Sequence, residues 1–153
     1  MSDIASLIAR SEKLTQIFGY WPSFHDAEVI DFNVWRGHVD PDRGIWDFPV
    51  LTLKIHLWEL TKEVDADGFL ICRRHTLCTL RFRDVAELSM AGFNHQNAML
   101  ELSIERKERD RKPSPFFSVE IDPDHGIDAS FQCLQIEVVD AVPCSDDGTP
   151  IPQ

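Results

Sequence analysis

The feature that most limits the fold of this chain is a two-residue alternation that returns along most of its length. Leu51, Leu53, Ile55 and Leu57 are apolar, and Thr52, Lys54, His56 and Trp58 stand between them. A period of two puts one set on each face of a β-strand. The same pattern returns in Ile30, Phe32 and Val34 against Asp31, Asn33 and Trp35, and in Ala98, Leu100, Leu102 and Ile104 against Met99, Glu101, Ser103 and Glu105. Phe117, Val119 and Ile121, then Ile127, Ala129 and Phe131, then Leu134, Ile136 and Val138 continue it. Leu70, Cys72, Cys78, Leu80 and Phe82 share one parity, interrupted by Arg74 and Thr76, and Leu88, Met90 and Gly92 predict a short strand. The total is about seven to eight strands.

Short connections join them. Asp67-Gly68 lies between two strand patterns and predicts a hairpin, Asp122-Pro123-Asp124-His125-Gly126 predicts another, and Gly37 to Gly44 reads as a loop. Short turns make the neighbours antiparallel. Only the N-terminus has helical spacing, in Ile4, Leu7, Ile8, Leu14, Ile17 and Phe18, with Ser2 or Asp3 as cap and Gly19 as stop. One helix cannot cover that many half-apolar strands. The prediction is therefore an α+β fold: one N-terminal helix packed on a strongly twisted or two-layered antiparallel β-sheet. A chain of 153 residues suits a single domain, with helix at 3–18, a corner at 19–29, sheet at 30–142 and a loosely ordered tail at 143–153. The charge run Glu105 to Lys112 reads as a solvated loop.

The corner is the densest stretch: Phe18-Gly19-Tyr20-Trp21-Pro22-Ser23-Phe24-His25-Asp26-Ala27-Glu28-Val29. Pro22 fixes its own φ and pushes Trp21 out of helical geometry. The aromatic residues should be buried there. Gly19 to Val29 resembles the opening signature of the bacterial immunity protein 50 family of polymorphic toxin systems, and Gly92-Phe93-Asn94-His95-Gln96-Asn97 and Gly126 with Phe131-Gln132-Cys133 fit the same pattern. The signature residues are Trp21, Pro22, Phe24, His25, Asp26, Glu28, Asn94, Gln96 and Asn97. The resemblance implies a small α+β protein that neutralises a toxin made by the same cell. It implies no enzymatic activity, cofactor or catalytic residue.

Charge narrows the partners. The formal net charge is -11, from 26 acidic and 15 basic residues. Phosphate binding needs clustered Lys and Arg, so nucleic acid is not the expected partner. Solubility alone accounts for such a balance, and a basic protein partner is the other reading. The N-terminus has Asp3 ahead of Ile4 and no long apolar run with a small-residue cleavage site, and no stretch approaches the length of a membrane span. A cytoplasmic protein is expected, with Cys72, Cys78, Cys133 and Cys144 as free thiols.

Several clusters invite chemistry. His25-Asp26 could serve a metal-dependent hydrolase or a small-molecule site, but neighbours on a strand point to opposite faces, and both side chains could instead bond backbone groups at the corner. Cys72-Arg73-Arg74-His75-Thr76-Leu77-Cys78 would spread its ends over about 20 Å as a strand, too far for one zinc. Asp122 to Asp128 lacks the closing Glu of a calcium loop. No metal site is expected. Asn94 to Asn97 suits a turn fixed by side-chain amides. Candidate contacts with a toxin are the carboxylates and aromatics expected to be exposed: Trp35, Asp40, Asp42, Trp46, Trp58, Asp65 and Asp67. An uncovered strand edge or tryptophan-bearing face would also permit a homodimer.

Overall fold

The computed structural model describes residues 4–151. It contains two four-stranded antiparallel sheets and a small two-stranded ribbon. The first sheet runs β1 (Glu28–Trp35), β4 (Val50–Val64), β5 (Leu70–Arg83), β10 (Gln135–Pro143). The second runs β6 (Ala86–Ala91), β9 (Asp128–Cys133), β8 (Phe116–Pro123), β7 (Met99–Lys107). The ribbon, β2 (Val39–Asp40) with β3 (Ile45–Trp46), lies in the connection from β1 to β4.

Burial explains the two layers. Leu51, Leu53 and Ile55 of β4 and Cys78, Leu80 and Phe82 of β5 join one core with Val119 and Ile121 of β8 and Phe131 and Cys133 of β9. Phe82 meets Phe131 edge-on, with ring centroids 5.0 Å apart. Each such side chain contributes roughly 1.5–3 kcal/mol relative to exposure. The sheets are joined where β5 and β10 leave the first sheet together: β5 continues through Asp84 and Val85 into β6, and β9 passes through Leu134 into β10. Asp84 takes φ 60 at this bend. Strands that switch sheets in this way make the corner of a β-sandwich.

The helix expected over 3–18 is two pieces, a 3-10 turn at Ile4–Leu7 and an α-helix, α1, at Glu12–Phe18. The expected caps Ser2 and Asp3 lie outside the described residues. The interruption has a cause: the N–H of Ala9 donates to Ile136 O and its carbonyl accepts from Val138 N–H, both at 2.9 Å, so Ala9 acts as a parallel bridge on β10. Arg10 then turns back with φ 59. Gly19 ends α1 at φ 85, its N–H on Thr15 O.

Two bulges alter the expected faces. Between Val29 and Asp31 the register of β1 slips, so Val29 (1% exposed) enters the core and Ile30 (44%) does not. Between Met99 and Glu101 β7 does the same, burying Met99 and leaving Leu100 exposed. An extra residue flips every side chain beyond it to the other face. The charge run is also shorter as a loop than expected, because Glu105, Arg106 and Lys107 pair with β8. Beyond β10 the described residues form a turn. Cys144 bridges Pro150, the N–H of Ser145 donates to Thr149 O, and Gly148 lies against the His56 ring.

Candidate functional site

Parts of the three segments that carry the sequence resemblance, distant in sequence, meet at one place. The chain from Asp26 to Val29 pairs with the approach to β7: Asp26 N–H donates to Met99 O, Met99 N–H to Ala27 O, and Val29 N–H to Asn97 O, at 2.9, 2.9 and 3.0 Å. This stitch ties the edge of the first sheet to the edge of the second, directly beside both bulges. A bulge leaves backbone groups unpaired, and side chains serve them here. His25 Nδ1 lies 2.8 Å from the carbonyl of Leu100, the bulged residue of β7. A carbonyl only accepts, so Nδ1 carries the proton. That bond, and then the neighbouring Asp26 carboxylate at 3.6 Å from Nε2, raise the imidazole above its ordinary pKa.

Asn97 holds the second segment. It is 3% exposed. Its Oδ1 accepts the N–H of Asn94 at 2.9 Å, and its Nδ2 donates to the carbonyls of Asn94 at 2.7 Å and Val29 at 3.4 Å. Asn94 in turn accepts the N–H of Gln96. Of the third segment only Gly126 reaches this place, on the turn whose Asp124 and His125 N–H groups donate to the Ala98 carbonyl. A Cβ on Gly126 would lie 2.2 Å from Gln96 O and 2.5 Å from Asn97 Oδ1, at φ +79. Only glycine fits that approach.

Beneath lie Phe24 and Trp21, whereas Tyr20, expected to be buried with them, is exposed. Phe24 is buried at φ 62 and Trp21 leans on it with centroids 5.7 Å apart. A left-handed phenylalanine costs roughly 1–2 kcal/mol, which its burial offsets. Pro22 is buried and Glu28 half-buried at the start of β1.

Residues 10–143 match the family model described as Immunity protein 50. The chain belongs to the immunity protein 50 family. No significant match was found among curated proteins or among solved structures. In this immunity protein 50 family member His25 and Asn97 thus satisfy backbone groups at the junction between the sheets, and Gly126 approaches Asn97 there. Among the described residues no three His, Cys, Asp or Glu side chains are grouped to hold a metal ion, and no helix is long and apolar enough to cross a membrane.

The candidate contact residues fall into two separate groups. Trp35, Asp42 and Trp46 are exposed near the β2–β3 ribbon, beside exposed Phe48, while Asp40 is half-buried and pairs with Arg43 at 3.5 Å. Asp65 and Asp67 are exposed in the turn after β4. Because β4 is 15 residues long, the groups stand roughly 45 Å apart along it. A standard interface covers about 800 Å² per partner, about 30 Å across, so one compact contact does not span both. Trp58 belongs to neither group: it is half-buried between His56 and His75, with centroids 4.9 and 5.9 Å away. Asp65 is also a turn residue, since its Oδ1 accepts the N–H of Asp67 and Phe69.

Exposed apolar residues Phe48, Leu60, Val64, Phe69 and Leu70 were not among the contacts expected from sequence. A large side chain directly after Asp67-Gly68 or between Asp47 and Pro49 was the available signal, since such positions seldom reach a core.

A polar pair was likewise not expected from sequence. Nε2 of His56 and Nδ1 of His75 are 3.0 Å apart, so one ring donates and the other accepts. Burial, and then His75, push the His56 imidazole below its ordinary pKa.

Proposed function

We propose that this protein neutralises a cognate bacterial toxin of basic character, a nuclease domain being the fitting class, by binding over its active site. The observation that carries the reading is the immunity protein 50 match over residues 10–143. The net charge of -11 supports it, because opposite charge speeds encounter between partners and makes the rate sensitive to salt. The exposed carboxylates Asp42, Asp65 and Asp67 supply charge for that steering. The protein acts by binding and carries out no reaction of its own. His25 and Asp26 serve the sheet junction in this reading, supported by the bond from His25 to the Leu100 carbonyl. A hydrolase or ligand site centred on them would lose activity in His25→Ala without losing stability, whereas a junction residue loses stability.

The test is capture of the polypeptide encoded immediately upstream, followed by rescue of cells that express it. One-to-one capture with rescue is expected, and association should slow as salt rises. Failure of both capture and rescue would refute the reading. Protection and salt dependence unchanged after alanine replacement of Asp40, Asp42, Asp65 and Asp67 together would refute the steering part alone.

A further inference from the structure

The β4–β5 ribbon runs on past its neighbours. β1 pairs with β4 only as far as His56, and β10 pairs with β5 only from Thr76, so Glu59–Val64 and Leu70–Arg73 have each other alone. The base of this arm rests on the corner, where Arg74 donates to Ile17 O and Leu60 faces Tyr20 and Trp21 across a cavity of about 450 Å³. Beyond the base the two strands are held by Glu63 with Arg73, by Glu59 with Arg74, and by the Thr61 hydroxyl on Ile71 O. A strand of this length extends about 17–20 Å.

Such an arm is unusual in what it shows to water. Leu60 is 58% exposed, Val64 56%, Phe69 70% and Leu70 50%. Among the described residues no further strand lies beside either edge, so both present backbone N–H and C=O groups. A two-stranded hairpin is marginal in water by itself, and open edges with apolar side chains are normally blunted. Large apolar groups and open edges on a projection fit a concave receptor. The tip adds charge: among the described residues neither Asp65 nor Asp67 is in an ion pair, unlike Glu59 and Glu63.

We propose that this arm enters the cleft of the toxin, burying Leu60, Val64, Phe69 and Leu70 against its apolar walls and setting Asp65 and Asp67 against its basic groups. The proposal rests on the toxin-neutralising reading and identifies the element that performs it. A second copy of the chain is the poorer occupant. Two tips brought together would oppose their own carboxylates, and two chains of net charge -11 repel. The tryptophan-bearing end then lies outside the contact, because the length of β4 separates them.

The experiment measures binding of the upstream-encoded polypeptide to four purified proteins, together with rescue and melting temperature. They are wild type, the double variant Phe69→Ala with Leu70→Ala, Asp67→Lys, and the double variant Trp35→Ala with Trp46→Ala. The arm variants should weaken binding by about 30-fold or more, as central anchors do, with the melting temperature held. The tryptophan variant should change it by less than about threefold. Asp67→Lys changes a turn side chain without touching the core, so it tests the arm even if the apolar variant misfolds. Wild-type affinity in both arm variants, with loss in the tryptophan variant, overturns the arm and leaves the immunity reading standing. A wild type that neither binds nor rescues overturns both. A stable dimer that Phe69→Ala dissolves overturns the toxin as occupant.

Discussion

Replacing Asn97 by alanine tests the junction between the sheets most directly. The substitution leaves the backbone bonds of the stitch in place and removes the carboxamide bonds alone. Two of these are short, from Asn94 N–H at 2.9 Å and to Asn94 O at 2.7 Å; the third, to Val29 O, is 3.4 Å long and contributes little. Each short bond is worth about 1 kcal/mol net, and a polar group left buried without a partner costs about 1–3 kcal/mol. Asn94 is itself exposed, so water replaces part of what its backbone loses. The expected loss is therefore about 2–3 kcal/mol, near the low end of those sums. In urea unfolding this moves the midpoint by about 1 M with an unchanged slope. The exposed Gln96, altered to alanine, should stay within about 0.5 kcal/mol. Gly126→Ala should be strongly destabilising alone, and its cost should add only in part to that of Asn97→Ala, because the double variant removes the clash with Asn97 Oδ1 but keeps the one with Gln96 O. An Asn97→Ala protein within about 0.5 kcal/mol of wild type at equal slope would refute the assignment of this side chain to the junction.

Two further results are expected. Since the folded His56 has a pKa below its ordinary 6.5, the unfolded chain takes up its proton first as pH falls. Stability is therefore lost as pH drops through 6.5 towards the folded value, and His56→Phe should lessen that loss relative to wild type in urea titrations. His25 has the opposite sign: its pKa is raised, so its stabilisation is complete below 6.5 and disappears as pH rises through the folded value. Burial pushes the thiols of Cys78 and Cys133 up to about 12 and raises that of Cys144. A thiol reagent at neutral pH should thus label the half-buried Cys72 first, and the rest only on unfolding. Rapid labelling of Cys78 in the folded protein would contradict the packing of β5.

The sequence by itself determined the class of fold. Period-two runs such as Leu51 to Leu57 can bury one face only as strands, and Gly19 and Asp67-Gly68 mark stops and turns through backbone chemistry that is local. It also marked the segments that carry the family resemblance, because unusual residues cluster there. The tertiary structure decided what local chemistry cannot express. Ala9 leaves the helix because β10 offers it hydrogen bonds. Ile30 and Leu100 leave the core because a bulge reverses facing only once a strand has a partner. Asn97 and Gly126 have meaning only where segments distant in sequence come within hydrogen-bond reach. Leu70 reads as an ordinary strand residue, and its exposure follows from where β1 and β10 end. Pattern along the chain reports which face a residue can show; the neighbours that cover that face are supplied by the fold.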